Sequence, residues 1–342
     1  MSYRVALVEG DGIGPEVTVA TKEVLEEVSN VSSVSLNFVQ VEAGDHALEV
    51  HGEALPETSL EEIEKSDCCL KAPIGKSAYD VIVHLRQRLD LYANIRPAKA
   101  FPSVSCLNSK TDLVIVRENT EDLYVGLETA DDDRATATRV ITRKACERIA
   151  QFAFQLARER RNSVTAVHKA NVMKKTDGLF LKVCNEVASK YPNVHFSNML
   201  VDAAAMNLIR NPQDFDVIVT TNVYGDILSD ESAQVVGGLG LAASANVGQD
   251  FAIFEPVHGC APDIAGKWIA NPTSLVLSAA MMLDWLGQRK RHNDAKLASR
   301  AIQRAVECCL AARQVTPDLG GKLSTMEMAR AIKKQLSQVI VR

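Results

Sequence analysis

Asp226 and Asp230 stand four positions apart in NVYGDILSDES, between an apolar stretch and a glycine-rich one. If the segment is helical, both carboxylates lie on one face with about one turn between them. Two bare carboxylates that close repel each other in water, so the pattern asks for a positive charge between them. Asp202, in LVDAAAMN, falls at the end of another expected strand and brings the set to three carboxylates. Oxygen donors alone, and few of them, suit Mg²⁺ or Mn²⁺, with water and substrate filling the remaining positions. The plainer alternative is that Asp202 or Asp226 caps a helix.

Cations precede these acids. Arg86 and Arg96 lie in HLRQRLDLYANIRPAK, and Arg117 ends DLVIVR. Arg86 falls on an expected helix, whereas Arg96 precedes Pro97 and so belongs to an extended segment. A guanidinium at a strand end suits bidentate capture of a carboxylate or phosphate. Taken singly, each arginine is an ordinary surface ion-pair partner; three of them ahead of two acidic clusters make that reading less comfortable. Tyr124 follows a strand in VRENTEDLYVG, and Lys169 and Asn171 follow another in VTAVHKANVMKKTDG. The carboxyl ends of strands are where ligands bind in open α/β sheets. A lysine there is either simply solvated or, facing other cations or a metal, lowered in pKa and able to act as a base. The turn-rich stretch FEPVHGCAPDIAGKWIANP offers His258, Asp263 and Asn271 as polar points, with Gly259, Ala261 and Ile264 between them. Asp263 is suited to accept hydrogen bonds from two ribose hydroxyls, which favours NAD over NADP. VALVEGDGIGPEV reads as strand, glycine turn and helix, but Pro15 stands where the dinucleotide fingerprint needs a glycine.

These residues need a frame, and the periodicity supplies one. Apolar runs at 4–9, 36–42, 67–71, 112–117, 164–168, 194–201 and 215–220 predict short strands, most of them covered on both faces. Helical periodicity falls at 15–29, 59–65, 77–90, 143–160, 174–190, 203–210, 226–236, 273–288, 295–313 and 325–338. The alternation argues for an α/β protein. With 342 residues, 46% hydrophobic and 24% charged, the chain has material for about two domains. A net charge of −5 argues against nucleic acid as a partner. No apolar run reaches ~18 residues, so no membrane span is expected. MSYRVALVEGDG enters a strand at once, which leaves no signal peptide, and the eight cysteines include no C-x-x-C pair; both point to a cytoplasmic protein with reduced thiols. The polar stretch LETADDDRATATRVITRK is either a disordered loop or an extended arm exchanged between subunits.

Along essentially its whole length the chain resembles the β-decarboxylating dehydrogenases, the family of isopropylmalate, isocitrate and homoisocitrate dehydrogenases. The likeness runs in order through GDGIGPE, LRQRLDLYANIRPAK, VRENTEDLY, HKANVMKKTDG, VDAAAM, YGDILSD and FEPVHGCAPDIAGK, and its wording is nearest the archaeal isopropylmalate members. The resemblance implies the two-domain isopropylmalate/isocitrate dehydrogenase-type fold, with a mixed twisted sheet and no Rossmann domain. It implies a cofactor-binding domain of residues 1–98 plus 250–342, and an inserted domain of 99–249 carrying the dimer interface and an intersubunit arm at 128–142. It further implies a homodimer, or a higher even oligomer, with shared active sites, Lys169 and Asp202 serving the partner's site.

The activity so implied is NAD-dependent oxidative decarboxylation of a 2-hydroxy dicarboxylic acid, 3-isopropylmalate going to 4-methyl-2-oxopentanoate in leucine biosynthesis. Homoisocitrate and isocitrate are the alternative substrates, and a non-catalytic regulatory subunit is the alternative from another class. Arg86, Arg96 and Arg117 would hold the carboxylates, Lys169 would take the hydroxyl proton, and Tyr124 would protonate the enol carbon. Asn171 would orient substrate or nicotinamide. Asp202, Asp226 and Asp230 would bind the divalent cation, and His258, Gly259, Ala261, Asp263, Ile264 and Asn271 the cofactor. Val83 and Ile82 share the helical face of Arg86 and should line the pocket for the substrate's side arm. An isopropyl group gains roughly 1–3 kcal/mol on such a surface, whereas a third carboxylate without a partner would cost several kcal/mol there.

Overall fold

Strands with no polar face need helices on both sides, and the computed structural model, which describes residues 1–340, places them so. The first strands are β1 (Ser2–Val8), β2 (Ser35–Gln40) and β3 (Cys68–Lys71). β4 (Ala93–Lys99) and β5 (Asp112–Glu118) follow, then a short hairpin of β6 (Glu128–Ala130) and β7 (Ala135–Ala137). The remainder are β8 (Ser163–His168), β9 (His195–Leu200), β10 (Val217–Thr220), β11 (Ala243–Val247) and β12 (Ala252–Pro256). All except the hairpin form one ten-stranded mixed sheet in the order β2-β1-β3-β12-β11-β4-β5-β10-β8-β9. Its two flanks are parallel, while β11 runs antiparallel to β12 and β4, and β4 antiparallel to β5.

Alternate residues of each strand enter different cores. Val5, Leu7 and Leu70 pack under helices Gly14–Val31, Thr273–Arg289 and Asn293–Ala311, while Ala6, Val8 and Cys69 face Glu57–Glu64 and Ala78–Arg88. In the other half, Val114, Val116 and Val219 meet Arg143–Arg158, and Ile115 and Ile218 meet Val201–Arg210 and Asn222–Val235. The sheet is thus covered on both faces in both halves. All eight cysteines are free. Among the described residues, no helix is long and apolar enough to cross a membrane.

The expected helices form within a few residues of their predicted bounds, but three strands of the large sheet, and the two of the hairpin, were not expected. β4, β11 and β12 carry Asn94, Ser244, Asn246 and Glu255, polar residues that broke the apolar pattern. They are tolerated at the centre of the sheet because they bond one another: Asn94 Nδ2 donates to Ser244 Oγ at 2.8 Å and to Asn246 Oδ1 at 3.1 Å. Helix Asp45–His51 was also missed, having only Ala47 buried. The arm is no irregular loop; its hairpin pairs Glu128 with Ala137 and stands exposed.

Candidate active site

Helix Asn222–Val235 follows β10 and lies against β4 and β5, so its face at Asp226 and Asp230 meets the arginines those strands carry. It begins four residues earlier than expected. Asp226 is therefore a full turn inside the helix, and the N-cap is Thr221. Asp202 likewise sits inside helix Val201–Arg210, whose N-cap is Leu200. The capping alternative fails for both. In this chain the charge between Asp226 and Asp230 is Arg96, whose Nη1 lies 3.2 Å from a carboxylate oxygen of each. Arg117 pairs with Asp226 as well, and its Nε and Nη2 donate to Asn222 Oδ1 at 2.9 and 2.7 Å. Tyr124 Oη donates to Asp226 Oδ2 at 2.6 Å, with the Arg117 guanidinium 5.1 Å above its ring.

Burial sets the electrostatics here. It works against ionised Asp226, yet Arg117, Arg96 and the Tyr124 hydroxyl outweigh it and hold that carboxyl below its usual range. Burial, with the charge of Asp226 added to it, raises the Asp230 carboxyl against the pull of Arg96. Burial pushes the Tyr124 hydroxyl up, and the neighbouring Asp226 carboxylate adds to it, so the phenol keeps its proton. Arg86 is lowered to about 10 by burial and by the nearby Arg117.

Arg86 leads to residues that the sequence did not single out. Its Nε donates to Asn246 Oδ1 at 3.1 Å, and its Nη2 lies 3.6 Å from Glu255. Lys71 Nζ is 2.7 Å from the other oxygen of Glu255, both side chains being nearly buried. Burial disfavours charged Glu255, but Lys71 and Arg86 hold its carboxyl down to about 2. Arg96 Nε meanwhile donates to Asn94 Oδ1 at 2.7 Å. A polar seam therefore runs from Lys71 through Glu255, Asn246 and Asn94 to Arg96. The available signal was a charged residue closing each of two apolar runs, in CCLK and FAIFE. Four cations (Lys71, Arg86, Arg96, Arg117) meet three carboxylates (Glu255, Asp226, Asp230), which leaves an excess of positive charge suited to an anionic ligand.

Beside this cluster, Val83 and Val125 line a cleft with Tyr79, Asp80, His84, Gln87 and Tyr124. The rings of Tyr79 and Tyr124 are stacked, centroids 6.4 Å apart. Val83 is buried and borders the cleft; Ile82, half-buried, is not among the residues lining it.

Lys169, one residue past β8, pairs with Asp202 at 2.6 Å, and that hydrogen bond lowers the Asp202 carboxyl. Asn171 is exposed in the turn that follows. Among the described residues, no hydrogen bond or ion pair joins Lys169 or Asp202 to the arginine cluster, and no three His, Cys, Asp or Glu side chains gather closely enough to hold a metal. Within one chain, then, Asp226 and Asp230 supply the oxygen donors that a hard divalent cation prefers, but not enough of them.

The 258–271 loop is fastened to the glycine turn. The Ile13 amide donates to Cys260 O at 2.8 Å, Glu16 accepts from the Gly266 amide at 3.0 Å, and a Cβ on Gly12 would collide with the Cys260 carbonyl. Asp263 is exposed on this loop beside half-buried Ile264, with Gly259 open to solvent and Ala261 at φ +40°. His258 Nδ1 lies 3.0 Å from Gly259 O. Asn271 is occupied locally: its Oδ1 accepts from the Thr273 amide at 3.0 Å, at the start of helix Thr273–Arg289, and its Nδ2 donates to Asp318 at 3.0 Å.

Comparison with known proteins bears on this geometry. A profile of the family described as isocitrate/isopropylmalate dehydrogenase matches residues 4–332. The chain is 50% identical over 338 residues to the 3-isopropylmalate dehydrogenase of Sulfurisphaera tokodaii, covering 98% of this chain and 100% of that one. It is 52% identical over 336 residues to the 3-isopropylmalate dehydrogenase of Methanothermobacter thermautotrophicus, covering 98% and 99%. Among solved structures, the isocitrate dehydrogenase of Methylococcus capsulatus superposes with a TM-score of 0.90 at 44% identity, over 98% of this chain and 99% of that one.

Proposed function

The chain belongs to the isocitrate/isopropylmalate dehydrogenase family, and from that premise we propose that it oxidatively decarboxylates 3-isopropylmalate to 4-methyl-2-oxopentanoate, a reaction of leucine biosynthesis, in the cytoplasm. The observation that carries this reading is the buried cluster of Arg86, Arg96 and Arg117, linked to the Val83 cleft through Tyr124, over whose ring Arg117 lies. Three guanidinium groups suit the two carboxylates of a malate core. Val83 and Val125 give the cleft an aliphatic side that suits an isopropyl arm, and a third carboxylate laid against that side would be unpaired.

When bound, NAD supplies the hydride acceptor, and a divalent cation held by Asp226, Asp230 and Asp202 of a second copy supplies electrophilic polarisation of the substrate oxygens. The protein's own groups do the rest. The arginines orient the substrate, turning an encounter into a positioned reaction. Lys169 of a second copy accepts the hydroxyl proton as the C–H bond gives up hydride. After CO₂ leaves, Tyr124 returns a proton to the enol carbon, a role that its raised pKa supports. Asn171 orients substrate or nicotinamide. His258, Gly259, Ala261, Asp263, Ile264 and Asn271 border the cofactor, and Asp263 repels the 2′-phosphate of NADP. Residues 1–98 plus 250–342 form the cofactor-binding domain and 99–249 the inserted one.

A shared site explains why Lys169 and Asp202 pair with each other and not with the arginine cluster. Exposed Met206, Ile209 and Ile227 on the two adjacent helices supply apolar surface for the second copy. The regulatory-subunit alternative is opposed by the presence of every arginine, aspartate, lysine and tyrosine the chemistry needs. The test is NAD reduction with Mg²⁺ on isopropylmalate, isocitrate and homoisocitrate side by side, for wild type and Val83→Arg. Wild type should prefer isopropylmalate and NAD, and the variant should shift toward the tricarboxylic acids by about tenfold or more, the scale of a gained charge-assisted hydrogen bond. A wild type that already prefers isocitrate or homoisocitrate sinks the side-arm argument.

A further inference from the structure

Arg139 lies on the returning end of the 128–142 arm, two residues past β7, with its side chain 11% exposed. Its guanidinium holds two carboxylates that solvent does not reach. Nε and Nη2 donate to Asp122 at 2.5 and 3.0 Å, and Nη1 donates to Asp177 at 2.5 Å. Nη2 also donates to Thr221 Oγ1 at 2.7 Å. Two fully buried carboxylates are costly to keep ionised unless each is paired and hydrogen-bonded. These two are, and the pairing of each is informative.

Besides Met173 Sδ at 3.0 Å and the Tyr224 ring 4.9 Å from its guanidinium, three partners of Arg139 lead to residues of the proposed chemistry. Asp122 accepts the amide of Leu123, the neighbour of Tyr124, at 2.9 Å, and the amide of Val223 at 3.2 Å. Asp177 accepts the amide of Lys169 itself at 2.6 Å. Thr221 is the N-cap of the helix that carries Asp226 and Asp230. One cation thus stands between the bases of three segments: the Tyr124 turn, the Lys169 loop and the Asp226 helix.

We infer that Arg139 is a positioning residue that locks these three segments into one unit. Resting on the shared-site reading above, the inference has a further consequence: Tyr124 and Asp226 serve one active site of the dimer while Lys169 serves the other, so Arg139 joins the two sites mechanically. The arm is then more than an interface element, because its root sets the acid of one site and the base of the next.

The test combines hydrogen–deuterium exchange with steady-state kinetics on the full-length dimer, using Arg139→Lys and Asp177→Asn. A lysine reaches one carboxylate where the guanidinium forks to two. The asparagine keeps an acceptor for the Lys169 amide but loses the charge that Arg139 holds. Exchange in 121–126, 168–178 and 221–226 should rise together by about tenfold as the common tie weakens. The kcat should fall by about tenfold or more with KM for the hydroxy acid within about twofold, the signature of lost orientation with binding retained. Faster exchange confined to 128–142, or a rise in KM with kcat kept, overturns the inference. Should Arg139→Lys not fold, Asp177→Asn decides by the same two readouts. A wild type inactive on all three acids would overturn the functional reading, and the exchange pattern alone would still decide whether Arg139 couples the segments.

Discussion

Glu255 shows what a single buried charge does when its neighbours are chosen for it. Burial alone would raise its carboxyl, but Lys71 at 2.7 Å and Arg86 at 3.6 Å hold it down to about 2. The unfolded chain returns it to about 4.3. The folded value is the lower one, so on acidification the unfolded state takes up the proton first. The contribution is fully present above the unfolded pKa and is lost as pH falls from about 4.3 toward 2, by roughly 3 kcal/mol at most. Urea unfolding at pH 6, 4 and 3 should therefore show wild type losing more stability than Glu255→Gln, with the gap between them closing in acid; parallel curves would refute the assignment. Chemistry at this scale was only partly legible. Arg86, Arg96, Arg117, Asp226 and Asp230 announced themselves by type and spacing. Lys71 and Glu255 did not, because their meaning lies in a hydrogen-bonded seam whose members stand more than a hundred residues apart, such as Asn94 and Asn246.

Among the elements, helix Asn222–Val235 carries a tight constraint at the site itself. Gly225 turns its bare face to Arg117, where an added Cβ would meet the arginine's Cγ at 2.5 Å and its Cβ at 2.6 Å. Those are the stem atoms of a side chain already pinned by Asn222 and Asp226, so it cannot swing away cheaply. Alanine would favour the helix by up to about 1 kcal/mol, but overpacking costs about 1–3 kcal/mol, and the clash should win. Gly225→Ala is expected to raise KM for the hydroxy acid by about tenfold through a displaced Arg117, the scale of one lost charge-assisted contact. An unchanged KM would show that Arg117 has room that the packing denies. Periodicity found the helices because each buries one stripe against an apolar sheet, and it found the strands with uninterrupted apolar runs. It missed β4 and β11 for the same reason it missed the seam: there the sheet's centre is built from asparagine and serine satisfied by one another, a pattern no local rule distinguishes from a loop.

At the scale of the whole molecule, the separation of Lys169 and Asp202 from the arginine cluster makes the strongest demand. If one chain contained a complete site, this geometry would leave its base and one metal ligand unused. If sites are shared, each dimer holds two complete sets, and two broken subunits can complement. Lys169→Ala and Asp226→Asn homodimers should each be inactive. In a dimer with one subunit of each kind, the site built on the intact Asp226 borrows the intact Lys169 and works, while the other site carries both lesions. Co-refolded in equal amounts, about half the dimers are of this mixed kind, each with one working site, so activity should return to about a quarter of wild type. Sites confined to single chains predict none, since neither subunit holds both residues. The measurement needs only an NAD-reduction assay on the two variants, separate and mixed, and recovered activity must also depend on subunit exchange: mixing without unfolding should restore less, and cross-linking the homodimers beforehand should abolish the gain.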